Sequence, residues 1–123
     1  MANRTFRTHG GTLEIDAVQL YAEVSVGAAG APTLVSSPGI ASVERTGAGT
    51  YKVTLSDRYF KLLNVHASNE GDDDATFRID SEDVNSNDPH VVVETLVAGS
   101  AADLTSGSKF RCTFHLRNSS QDT

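Results

Sequence analysis

The sequence predicts an all-β fold: an antiparallel β-sandwich or jelly roll of about eight strands behind a short N-terminal arm. Three observations predict it. Apolar residues recur at every second position in several segments. Gly, Pro, Ser and Asn clusters punctuate the chain at short intervals. No stretch has the three-to-four spacing of a long amphipathic helix, so a parallel sheet with crossover helices is not expected.

Val18, Leu20, Ala22, Val24 and Val26 alternate with Gln19, Tyr21, Glu23 and Ser25. A helix would scatter these apolar residues around its circumference; a strand places them on one face. Gly27 to Pro32 ends this run, and Thr33-Leu34-Val35 forms a short strand stopped by Ser36-Ser37-Pro38-Gly39. Ile40 to Thr46 and Thr50 to Leu55 flank Gly47-Ala48-Gly49 and predict a hairpin, because glycine permits the positive φ of a tight connection. Ser56 to Lys61 reads as a turn or one short helical turn. Leu63, Val65 and Ala67 resume alternation, and Asn69 to Asp74 forms an acidic loop. Thr76 to Asp80 is a strand and Ser81 to Pro89 a polar loop. Val91 to Leu96 is β-branched and could be covered on both faces. Ala98 to Ser108 is small and polar, with room for one helical turn at Ala101 to Leu104. Phe110, Cys112, Phe114 and Leu116 alternate with Arg111, Thr113, His115 and Arg117.

The chain has 123 residues, enough for one domain, placed here at 13–118 between an arm at 1–12 and a polar tail at 119–123. Sixteen acidic residues oppose ten basic ones, for a net charge of -6. That balance argues against a nucleic-acid binder, which needs a basic face. No apolar run approaches the ~20 residues of a membrane-spanning helix, so no membrane partner is expected. The single cysteine, Cys112, cannot form an internal disulfide and reads as a small core side chain. With eight aromatic residues and no tryptophan, the core is expected to be aliphatic.

Catalytic chemistry finds no support. His9, His66, His90 and His115 lack metal-site spacing. Nucleophile-elbow and phosphate-cradling glycine motifs are absent. A cupin-like metalloenzyme would need three or four ligands converging in the fold, and the spacing signals none. Glu70, Asp72, Asp73 and Asp74 could attract a hard cation. Asp83, Asn85, Asn87 and Glu94 match part of a calcium-loop spacing, but Asp88 stands where glycine is required and Pro89 follows. The simpler reading is a pair of solvated loops whose charge keeps strand edges from associating. No enzyme activity, cofactor or metal is expected. Asn3-Arg4-Thr5 and Asn118-Ser119-Ser120 fit a glycosylation pattern without a secretory signal to give it meaning.

Interaction residues are expected instead at Arg4, Phe6 and Arg7, a basic and aromatic arm suited to an acidic partner, and at Tyr59 and Phe60 between Arg58 and Lys61. The alternative for the tyrosine–phenylalanine pair is that it caps the core.

The segment Pro38 to Leu55, PGIASVERTGAGTYKVTL, resembles a hairpin pattern of small structural proteins in tailed-bacteriophage virions. Val24 to Gly27, Pro32 to Leu34 and Gly107 to Ser119 are similar too, so that about half the chain is covered. The pattern is structural and carries no chemistry. The resemblance implies a sandwich or jelly roll on a virion surface, often trimeric. Together with the compact size, it implies a capsid decoration (cement) protein that binds the phage major capsid protein as a homotrimer on the capsid surface. The competing expectation is a head- or tail-fibre module that binds a receptor or carbohydrate, with Tyr21, Tyr59 and the acidic loops as candidates.

Overall fold

The computed structural model describes residues 17–35, 37–71 and 73–117. The arm residues Arg4, Phe6 and Arg7, His9 and both glycosylation-like asparagines lie outside them. Nine strands follow in order: β1 Ala17–Val26, β2 Pro32–Val35, β3 Ile40–Gly47, β4 Thr50–Leu55, β5 Lys61–Glu70, β6 Ala75–Asp83, β7 His90–Val97, β8 Ser100–Ala101 and β9 Lys109–Arg117. The described residues contain no α-helix, only a 3-10 turn at Ala28–Gly30.

The strands form two antiparallel sheets packed as a sandwich. One has the order β2-β1-β9-β5; the other runs β3-β4-β7-β6, with β8 paired to β7. Four consecutive pairs, β1–β2, β3–β4, β6–β7 and β7–β8, each remain within one sheet. The chain therefore does not follow the sheet-alternating path of a jelly roll, and of the two expected architectures it adopts the plain sandwich.

The alternating stripes read from the sequence meet in the core. Leu20, Ala22, Val24 and Val26 of β1, with Phe110, Cys112, Phe114 and Leu116 of β9, face Tyr51, Val53 and Leu55 of β4 and Val91 and Val93 of β7. Phe110 has no exposure and touches rings from the opposite sheet, with centroids 5.3 Å from Tyr51 and 5.9 Å from Phe77. Cys112 is equally buried, and desolvation pushes its thiol up to about 12, far from a reactive thiolate at neutral pH.

Several boundaries differ from expectation. Ser56 to Phe60 takes the turn rather than the helical alternative, whereas Ala101 to Leu104 forms the end of β8 and an extended loop instead of a helical turn. β5 continues to Glu70 and β6 to Asp83, so both supposed loops are shorter and strand edges take their place. β7 is buried on one face only: Val91, Val93 and Thr95 point inward, while Val92, Glu94 and Leu96 are half-buried.

One end of the sandwich is tied by Asp103. Arg45 donates to its carboxylate from Nε at 3.0 Å and from Nη2 at 2.8 Å, and the Gly49 N–H donates at 2.8 Å. The Tyr51 hydroxyl lies 3.4 Å from the same carboxylate and donates to the Gly30 carbonyl at 3.0 Å. Three segments distant in sequence thereby close over the core. Arg45 and the Gly49 N–H hold the Asp103 carboxyl below its ordinary value despite partial burial, whereas burial pushes the Tyr51 phenol up to about 12. A carboxyl whose folded pKa is depressed contributes stability that is present above the ordinary carboxylate range and lost as pH falls through the folded value. Asp103→Asn is expected to cost about 2 kcal/mol at neutral pH. In urea unfolding, the gap to wild type should narrow in acid, as pH falls below the ordinary carboxylate range and Asp103 takes up its proton.

Candidate functional site

Among the described residues, the strands at the two ends of each sheet pair on one side only. Within those residues, β5 hydrogen-bonds only to β9 and β6 only to β7, and a short connection joins the two. Their outer edges therefore open on the same side of the sandwich and leave a seam between the sheets. A groove of about 440 Å³ runs along it, with Val65, Ala67, Phe77 and Ile79 on its apolar side and polar residues that include Asn69 and Arg78 completing its lining. A smaller hollow of about 160 Å³ continues the line between Phe60–Leu62 and Glu82–Asn85. At ~3.3 Å per residue, the ten residues of β5 give the seam a length of about 30 Å.

Local irregularities shape this seam. The β5–β9 register shifts between Leu62 and Asn64, turning Leu62 toward the core ahead of Val65 and Ala67. The β6–β7 register shifts between Ile79 and Ser81, at Asp80. Such bulges twist an edge and interrupt its hydrogen-bonding row. They do not cover Ile79, which stays 39% exposed.

The two lips differ in charge. Across the middle of β5 stand Asn64, His66, Ser68 and Asn69, which are neutral or weakly basic. Along β6 stand Asp80, Glu82 and Asp83, all exposed, with Arg78 as the opposing cation. Arg78 already pairs with Glu94 and lies 3.8 Å from Asp80. One end of the seam carries the aromatic pair singled out in the sequence, and the structure splits it. Tyr59 belongs to the core at 9% exposure, so its ring is not a contact surface. Phe60 is 39% exposed, with the Arg117 guanidinium 5.4 Å from its ring centroid. Four large apolar side chains stand exposed among the described residues, and two of them, Phe60 and Ile79, lie on this seam. The other two, Tyr21 and Val35, lie on the outer face of the β2-β1-β9-β5 sheet.

Two acids of the 69–74 segment, Asp73 and Glu70, meet protein donors, and Asp72 lies outside the described residues. Thr105 donates to both Asp73 carboxylate oxygens, from its N–H at 2.7 Å and its hydroxyl at 3.0 Å. Glu70 takes Arg111 at 2.8 Å, which holds its carboxyl below the ordinary range. The calcium-like spacing does not assemble: Asp83 stands opposite His90, whereas Glu94 lies further along β7 beside Arg78, and Asp88 binds Lys52 at 2.7 Å. Among the described residues, no group of three or more His, Cys, Asp or Glu side chains is placed to hold a metal. His66 is exposed and His115 half-buried, both directed away from the core stripe as their alternation predicts.

Comparison with protein-family models, with curated proteins and with solved structures found no match.

Proposed function

We propose that this chain is a virion structural protein, a capsid decoration protein that binds the major capsid protein of a tailed phage as a homotrimer and stabilises the head from outside. The observation that carries the reading is the hairpin Ile40–Leu55: the segment that resembles phage structural proteins is built as β3 and β4, closed at Ala48-Gly49. Further support comes from the location of the apolar side chains. Phe60, Ile79, Tyr21 and Val35 are displayed on strand edges and outer faces, where they can meet a second macromolecule. Many copies, each bridging several coat subunits, would multiply modest contacts into firm attachment.

The purified chain is expected to sediment as a trimer and to add to expanded heads of the parent particle from which it has been stripped. A monomer that ignores expanded heads and is recovered only from tails contradicts the reading.

A second reading, a fibre module that binds a carbohydrate, is favoured by Tyr21. Its ring is 44% exposed in a field of polar neighbours, opposite Thr113 on β9 and flanked along β1 by Gln19 and Glu23. Aromatic surfaces set among hydrogen-bonding groups suit sugar rings. A glycan array on which wild type binds and Tyr21→Ser does not would select this reading over the first.

A further inference from the structure

We infer that the Asp88–Pro89 peptide bond is a self-cleavage site, at which the Asp88 carboxylate attacks its own main-chain carbonyl carbon and the His90 imidazolium assists departure of the proline nitrogen. The proposal goes beyond a virion role and does not depend on it.

The sequence supplies the bond. The prolines at 32 and 38 follow Ala31 and Ser37, so Asp88–Pro89 is the one acid–proline bond of the chain. Its nitrogen is that of a tertiary amide with no N–H. An aspartate carboxylate closes a five-membered ring when it attacks its own carbonyl carbon, so the nucleophile is at high effective concentration.

The structure supplies the assisting groups. His90 opens β7, and its Nδ1 lies 2.6 Å from the Asp88 carbonyl oxygen, which is the oxygen of this bond. A carbonyl only accepts, so Nδ1 carries the hydrogen. A donor at that distance is in place for the negative charge that develops when the carbon is attacked. On the other side, Lys52 Nζ donates to Asp88 Oδ2 at 2.7 Å and holds the carboxyl below its ordinary range. The nucleophile therefore stays charged in the mild acid where an imidazole ordinarily gains its second proton. Several charged groups face His90. Asp88 Oδ2 is at 3.7 Å, and Asp83 stands opposite on β6. On β4, the uncharged Thr54 stands opposite, with Lys52 two residues along and Glu44 of β3 beside Lys52. Exposure also favours separation of the ends. Asp88 is exposed and so open to water, whereas Pro89 is buried and its carbonyl accepts the Leu55 N–H at 2.8 Å.

The step balances without oxidant or reductant. A carboxylate oxygen bonds to the Asp88 carbonyl carbon, and the carbonyl π pair moves onto the oxygen that His90 holds. That pair returns as the carbon–nitrogen bond breaks. The Pro89 nitrogen leaves with the bonding pair and takes the imidazolium proton, which gives a cyclic anhydride at residue 88 and a secondary amine at residue 89. Water then opens the anhydride to two carboxyl groups.

The test incubates the purified full chain between about pH 8 and about pH 4 and follows fragments by mass spectrometry. Fragments 1–88 and 89–123 are expected, with a rate that rises as imidazole is protonated and falls once the carboxyl is. The same chain unfolded in urea keeps the bond and loses the geometry, and it should cleave at least about tenfold more slowly at equal pH. His90→Gln keeps a neutral donor and should slow cleavage about 100-fold. Asp88→Glu keeps the charge but must close a larger ring, and should slow it at least about tenfold. Lys52→Met should move the acid limb of the pH profile upward, because the carboxyl returns to its ordinary range. These side chains are exposed or half-buried, and amide spectra report that each variant is folded. An intact chain at every pH, equal rates folded and in urea, fragments ending elsewhere than residue 88, or wild-type rates in His90→Gln would overturn the proposal.

Discussion

Replacing Phe110 with alanine is expected to lower the free energy of unfolding by about 3–5 kcal/mol. The ring is fully buried and bridges the sheets between Tyr51 and Phe77. Its neighbours on the strand pair are small: Val24 on β1 stands directly opposite, and Cys112 follows on the same face of β9. With five phenylalanines, three tyrosines and no tryptophan in the whole chain, few side chains could swing in to fill the space. A domain of this size has a total stability of about 5–15 kcal/mol, so the loss is a large fraction of it. Urea unfolding should show the midpoint falling steeply. Phe60→Ala, which removes a ring of the same size from an exposed position, should change stability by less than about 1 kcal/mol. Similar losses for the two would mean that the core does not centre on Phe110.

Gly49→Ala is expected to cost about 3 kcal/mol or more, from two sources that add. The residue has φ +70°, where a β-carbon is strained. A β-carbon there would also stand 2.6 Å and 2.7 Å from the Ala102 backbone N and O, and 2.8 Å from the Thr95 carbonyl. Those atoms cannot retreat cheaply. The Gly49 carbonyl accepts the Thr95 N–H at 2.7 Å, its own N–H donates to Asp103, and the Thr95 hydroxyl donates to the Ala102 carbonyl at 2.6 Å. Gly99 separates the two sources. Its φ is +84° but nothing lies within 4 Å of the added carbon, so Gly99→Ala should lose only the conformational part, about 1 kcal/mol. Thermal and urea unfolding of the two variants side by side check this. Equal losses would remove the close packing of the β3–β4 turn against β7 and residue 102.

The sandwich was legible wherever alternation is unbroken. The stripes of β1, β4 and β9 read directly as inward faces, and Gly47-Ala48-Gly49 announced its hairpin. Reading failed where the backbone departs from period two. The bulge after Leu62 changes which leucine faces inward, so counting from Leu63 to Val65 and Ala67 holds only past the irregularity. Beyond Ile79 the exposed acids of β6 look like a loop because an edge strand needs no apolar residue there. The β7–β8 turn uses positive φ at Ala98 (54°) as well as Gly99, a conformation alanine does not advertise, and Ser100–Ala101 was therefore missed as a strand.

The seam was less legible still. Phe60 stood out as an aromatic among charges, but its adjacent twin Tyr59 gave the same signal and is buried. What distinguishes them is tertiary: the Tyr59 N–H bonds to the Val84 carbonyl and its ring is buried, whereas the Phe60 N–H bonds to the Arg117 carbonyl and its ring stays exposed. That β5 and β6 are edges on one side depends on strand order, and strand order arises from long-range pairing that local periodicity does not encode. The acids of β6 could be read from the sequence; the groove at Ala75 to Ile79, ahead of them on the same strand, could not.

Amide hydrogen exchange on the free protein tests most directly whether a two-sheet body opens along β5 and β6. Strands flanked on both sides, β1, β4, β7 and β9, should exchange slowly at successive residues. Within β5 and β6 only the amides directed at β9 and β7 should be protected, and those directed into the seam should exchange fast. Protection at every residue of β5 and β6, or rapid exchange throughout β9, would contradict both the strand order and the open seam.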